Sequence, residues 1–179
     1  MKYEDARHLI QNGDIVSVLR LKTKASLLSH VITAWSRSPI YHTGILVWMS
    51  TEGSSEKRLF IVEAFDATRR ITPLSVYNKN ELRVLAIPAH VKFDLFAPSL
   101  LGRIGTAKYS YLKAFQSGIR QYLSLPYVSV DTGEFCSELA AKSWKQGGLA
   151  IQDTNVDPAM LEKLLIEQHG VKYRCIIEP

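Results

Sequence analysis

The 179-residue chain has only two cysteines, Cys136 and Cys175. A chain this long can bury a core without covalent help, and two cysteines make no disulfide framework, so both are expected as reduced thiols. It also lacks any stretch of about 18 apolar residues, the length a helix needs to cross a bilayer. Its start, Met1 to Arg7, is polar and carries none of the continuous apolar stretch of a secretion signal, so a cytoplasmic protein is expected. Blocks of like charge are missing too. The 22 Lys and Arg exceed the 17 Asp and Glu, for a net charge of +5, but they are scattered singly or in pairs such as Lys57-Arg58 and Arg69-Arg70. No nucleic-acid partner is expected from that pattern, which fits a mildly basic solvated surface or one that meets an anionic substrate or membrane. Cys-x-x-Cys, His-x-x-x-His and His-Glu-x-x-His are all absent, so no metal and no cofactor are expected. No repeat, low-complexity segment or linker divides the chain, and residues 1–179 read as a single domain.

What is present alternates strands with helices. Tyr3, Ala6, Leu9 and Ile10 have helical spacing and stop at Asn12-Gly13; Asp14 to Leu19 reads as a first strand. Leu27, Leu28, Val31, Ile32 and Trp35 mark a helix closed by Pro39. Tyr41 to Met49 is almost wholly apolar or β-branched, as expected of a strand buried on both faces, and a polar loop joins it to a second apolar strand, Leu59 to Phe65. The two should form an antiparallel hairpin. A short strand is expected after the turn at Asp66, another at Leu82 to Pro88, and a loop with short helical pieces over 89–101. A helix is expected from about Gly102 to Leu123, and a loop from Pro126 to Gly133 then delivers the chain to a helix opened by Cys136 and ended at Gly147-Gly148. Asp157 and Pro158 should cap and start a further helix, and Val171 to Ile177 should form a last, edge strand. An α+β fold results, with a central, mostly antiparallel sheet packed with helices.

A thiol at a helix N-terminus is a candidate nucleophile, because unpaired backbone N–H groups and the helix dipole favour the thiolate. A small buried hydrophobe is the plainer reading of a lone cysteine. Cys136 therefore needs a base. Among the five histidines only His42 begins a buried strand, where a polar ring is costly unless hydrogen-bonded or functional. Glu63 is a lone charge in the neighbouring strand. If the hairpin is centred on Gly53-Ser54, His42 falls opposite about residue 65 and Glu63 opposite about residue 44, diagonal neighbours on one face. A shift of two residues would set them directly opposite, and a shift of one would separate them. Thiol acyl transfer uses this set: His42 as general base, Glu63 holding its other ring nitrogen, and the Cys136 backbone N–H as an oxyanion donor. Cys175, in an apolar strand, is expected to be structural.

The succession Gly13-Asp14-Ile15-Val16, Ser38-Pro39-Ile40-Tyr41-His42-Thr43-Gly44-Ile45, Val62-Glu63-Ala64 and Phe135-Cys136-Ser137-Glu138-Leu139 resembles the YaeF/YiiX group of permuted papain-like amidases, relatives of NlpC-type cell-wall peptidases. The resemblance runs from about residue 13 to the Asp157-Pro158 helix. It implies a circularly permuted papain-like (NlpC-like) fold in which the histidine strand precedes the cysteine helix. By the same resemblance Cys136 is the nucleophile, His42 the base and Glu63 the third polar residue. Tyr109 stands in the place of a Gly-x-Pro-Tyr-Asp-like element, from which this chain departs at Ala107, Lys108 and Ser110.

The implied activity is that of a cysteine amidase or peptidase acting through an acyl-thioester on a peptide-like or acyl-amide substrate of peptidoglycan type, with cell-wall or peripheral membrane contact. Two alternatives remain open. Similar permuted folds handle acyl chains, so a lipid-directed acyl hydrolase or acyltransferase could turn the Leu27 to Trp35 helix toward lipid. A non-catalytic binding module that keeps the fold is the other, and retention of Cys136, His42 and Glu63 together argues against it.

Overall fold

The computed structural model describes residues 1–19, 38–50, 55–65, 68–105 and 134–179. Their β-branched and apolar runs form six strands: β1 (Ile15–Leu19), β2 (Ile40–Ser50), β3 (Lys57–Phe65), β4 (Thr68–Pro73), β5 (Leu82–Leu85) and β6 (Tyr173–Ile177). They make one sheet in the order β4-β3-β2-β1-β5-β6, every pairing antiparallel. Helices α1 (Tyr3–Ala6), α2 (Phe93–Gly102), α3 (Cys136–Gln146) and α4 (Pro158–His169) complete an α+β architecture. Among the described residues no helix is long and apolar enough to cross a membrane.

The inner strands read as continuous apolar runs because each buries both faces. On one face Ile15, Ile45, Val47, Val62 and Leu85 pack with Phe96, Leu139, Trp144 and Leu161 from α2, α3 and α4. On the other, Val16, Val18, Leu46, Ile61 and Val84 pack with Ala6, Ile10, Leu74 and Tyr77. The period of two along a strand sends neighbouring residues such as Ile15 and Val16 to opposite cores.

The β2–β3 hairpin pairs Ile45 with Val62 and Ser50 with Lys57. Continued along the strands, that register sets Gly44 opposite Glu63 and His42 opposite Phe65, the arrangement expected from a turn centred on Gly53-Ser54. Gly44 leaves no room for a side chain. A Cβ there would lie 2.5 Å from Ile61 Cγ1 and 2.8 Å from the Val62 carbonyl oxygen, so no larger residue fits without moving backbone.

The helix ends follow local chemistry. Asp157 Oδ1 accepts from the Met160 N–H at 2.9 Å to cap α4. Gly170 ends that helix in the left-handed conformation at φ 63°. One segment differs from expectation: residues 93–102, read as loop with helical pieces, form the continuous helix α2 in spite of Pro98 inside it. Burial of Phe96 and Leu100, four residues apart on one face, outweighs the backbone bond that the proline cannot make. The chain then turns at 103–105, so Gly102 ends a helix where a helix was expected to begin.

The remainder of that expected helix with Tyr109, the Leu27 to Trp35 helix and the loop over 126–133 lie outside the described residues. Cys136 and Cys175 are both free thiols. Cys175 sits in the core beside Val84 and Ile177, where burial raises its pKa above the ordinary thiol value.

Candidate active site

His42 and Glu63 are the two titratable side chains that the apolar strands β2 and β3 bury, at 4% and 0% exposure. His42 Nε2 and Glu63 Oε2 are 2.5 Å apart. Glu63 collects three further donors. Arg70 Nε at 2.8 Å and Thr72 Oγ1 at 2.5 Å donate to Oε1, and the Tyr77 hydroxyl donates to Oε2 at 2.7 Å. Four donors on two oxygens are what a buried carboxylate needs to stay charged.

The sources of these donors follow from the sheet. Arg70 is the cross-strand partner of Glu63, and Thr72 lies two residues along the same face of β4. Tyr77 comes from the 3-10 turn Leu74–Tyr77 that follows, and its ring stacks on the imidazole with centroids 6.1 Å apart. Phe65 meets the His42 ring edge-on at 5.5 Å, and the Arg70 guanidinium lies 4.0 Å over the Phe65 ring.

Cys136 opens α3 immediately after Phe135, whose backbone is extended at φ −116° and ψ 171°. Phe135, at the N-cap, offers no side-chain acceptor to the first-turn N–H groups. Behind the first turn α3 is buried on most sides: Leu139, Ala140, Ala141 and Trp144 all lie in the core. Two anchors fix it. Ser137 Oγ donates to the Val156 carbonyl at 2.5 Å, and Trp144 Nε1 donates to the Gly13 carbonyl at 2.7 Å. The anchored first turn brings Cys136 beside His42. Since Nε2 is taken by Glu63, Nδ1 is the ring nitrogen left for the thiol.

The electrostatics follow from this geometry. Burial alone pulls the His42 pKa down, but hydrogen bonding to Cys136 and its charge, with the hydrogen bond and charge of Glu63, carry it from 6.5 up to about 9. Burial pushes Glu63 the other way, upward, and is overcome by His42, Thr72 and Tyr77, which bring the carboxyl from 4.5 down to about 2. Burial, together with the Glu63 charge, raises the Tyr77 pKa, which keeps its hydroxyl a donor.

Stability should therefore depend on pH at both ends. The His42 contribution is complete below about pH 6.5 and is lost as pH climbs through about 9; that of Glu63 is complete above about 4.5 and is lost as pH falls through about 2. Urea unfolding at pH 6 and at pH 9.5 should show a loss of roughly 1–3 kcal/mol toward the alkaline side, and His42→Ala should flatten that slope. An equal slope in the variant would show that other groups carry it.

Sequence reasoning singled out His42, Glu63 and Cys136 and missed the groups around them. Arg70 and Thr72 carried a signal, since two polar residues alternate along a strand that pairs with Glu63. Tyr77 carried none, because a short turn placed it. Arg69, one half of an apparently solvated pair, is 3% exposed: Nη1 donates to the Ser99 and Leu100 carbonyls at 2.7 and 3.0 Å, and Nη2 to Glu134 Oε2 at 2.5 Å. Asp14, expected only as a strand start, is wholly buried and pairs with Arg174 Nε at 2.6 Å. Among the described residues no three His, Cys, Asp or Glu side chains converge to hold a metal ion. No protein-family model matches the chain, and no curated protein matches it.

Proposed function

We propose that the protein is a cysteine hydrolase that cleaves an amide bond through an acyl-thioester, on a permuted papain-like scaffold of the NlpC type. One observation carries the reading: a buried histidine held between a carboxylate on its neighbouring strand and a thiol at a helix start. The chain order of histidine strand, glutamate strand and cysteine helix agrees with the permuted arrangement. In this reading His42 takes the Cys136 proton at Nδ1 and so makes the attacking thiolate.

Cys136 Sγ attacks the substrate carbonyl carbon, and the oxyanion takes donation from the first-turn N–H groups of α3. His42 gives its Nδ1 proton to the departing amine as the C–N bond breaks, leaving an acyl-thioester and a neutral ring. A water then gives its proton to His42 and adds to the thioester. The C–S bond breaks, the carboxylic acid leaves, and the thiolate and imidazolium are restored. Throughout, Glu63 holds the Nε2–H and stabilises the charged ring.

Limiting alkylation with iodoacetamide near pH 6, with the adducts mapped by mass spectrometry, tests this directly. Both thiols are buried, yet Cys136, which has His42 as a partner, should react well ahead of Cys175, and His42→Ala should slow Cys136 by about tenfold or more. Equal labelling of the two thiols, or indifference of Cys136 to the loss of His42, would refute the catalytic reading. Cleavage of short acyl esters without cleavage of dipeptide amides would move the substrate to lipid-like acyl groups.

A further inference from the structure

Adjacent arginines on β4 grip the two halves of the site from opposite faces of the sheet. Arg70 points to the face of Glu63, which orients His42. Arg69, one residue earlier, points to the face where Ile71 joins the core under α2 and α3. There its guanidinium spans two elements, holding the last carbonyls of α2, Ser99 and Leu100, and the carboxylate of Glu134. Glu134 stands two residues before Cys136, and its other oxygen lies 4.0 Å from Lys142 Nζ on α3. The Arg69 carbonyl in turn accepts from the Gly105 N–H at 2.8 Å, tying the turn after α2 to the same strand residue.

A buried ion pair adds little net stability over apolar groups of equal volume, but a planar guanidinium accepts partners only along fixed directions. The one at Arg69 therefore sets geometry. The base half of the site and the approach to the nucleophile hang from consecutive residues of one strand.

We propose that Arg69, acting through Glu134, is a positioning residue that holds the first turn of α3 at the distance and angle at which Cys136 and His42 exchange a proton. This rests on the cysteine hydrolase reading. It makes Arg69 and His42 parts of one device, so their effects should not be independent.

The test is the rate of iodoacetamide labelling of Cys136 near pH 6 in the full chain, with the melting temperature measured beside it. Arg69→Lys keeps the charge but loses the fork, and Glu134→Gln keeps an acceptor but loses the charge. Each should slow labelling about tenfold, and adding His42→Ala to either should slow it little further. A cooperatively folded variant labelled at the wild-type rate overturns the proposal. So does a double variant in which the two effects multiply, since a merely structural arginine would lower stability and leave the His42 dependence intact.

Should Arg69→Lys fail to fold, Glu134→Gln decides alone. If wild-type Cys136 is no faster than Cys175, the hydrolase reading falls and the positioning role falls with it. If the wild-type advantage stands and the Arg69 and Glu134 variants keep it, only the positioning role falls.

Discussion

Glu63→Ala is expected to lower the folding free energy by about 3–5 kcal/mol, which for a chain of this size is a fall in melting temperature of roughly 6–20 °C. The size of the effect comes from what is left behind. Arg70, Thr72, Tyr77 and His42 all direct donors at the missing carboxylate, and Thr72, Tyr77 and His42 are buried, where a donor left unpaired is costly. Urea unfolding near pH 6, where both ends of the pH dependence are flat, measures it. A loss under about 1 kcal/mol would mean that Glu63 is not the electrostatic centre of the cluster.

Glu63→Gln separates stability from chemistry. The amide keeps the shape, and its oxygen can still accept from Arg70 and Thr72, so the cost in stability should be smaller than for alanine. Its NH2 group then faces His42, and Nε2 must become an acceptor with the ring proton moved to Nδ1. A histidine in that tautomer cannot take a proton from Cys136. Labelling of Cys136 near pH 6 should therefore fall by about two orders of magnitude although the fold survives. Wild-type labelling in Glu63→Gln would show that the carboxylate does not set the tautomer.

Trp144→Ala is the second large effect, at about 3–5 kcal/mol in urea unfolding. Among the described residues Trp144 is the largest fully buried side chain, and its indole N–H is bonded to the Gly13 carbonyl ahead of β1. Alanine opens a cavity between α3 and the sheet and strands that carbonyl as well. Trp144→Phe keeps much of the volume and loses only the hydrogen bond, so about 1–3 kcal/mol is expected for it. Equal costs for the two would assign the effect to the hydrogen bond and leave packing with none.

The readings that succeeded share a cause. Period-two and unbroken apolar runs specify strands and their burial through local side-chain geometry alone, and caps such as Asp157 and Gly170 act within one turn of chain. His42 and Glu63 stood out because a polar residue inside an apolar strand is costly wherever that strand lies. Even their diagonal relation could be derived, since the turn between two adjacent strands sets the register.

The readings that fell short depended on elements far apart in the chain. Pro98 argued locally against a helix, and only the core waiting for Phe96 and Leu100 overrode it. Arg69 and Arg70 look alike in the sequence, and which one is buried was decided by what packs on each face of β4.

By itself, then, the sequence determined the strands, the helix that Cys136 opens, and the cost of burying His42 and Glu63 in apolar strands. Tertiary structure decided the rest. It set Cys136 beside the ring of His42, surrounded Glu63 with Arg70, Thr72 and Tyr77, and buried Arg69 against Glu134, a residue 65 positions away. The physical reason is that local propensity acts over a few residues, whereas the donors that keep a buried charge ionised are recruited by whatever the fold brings within about 3 Å of it.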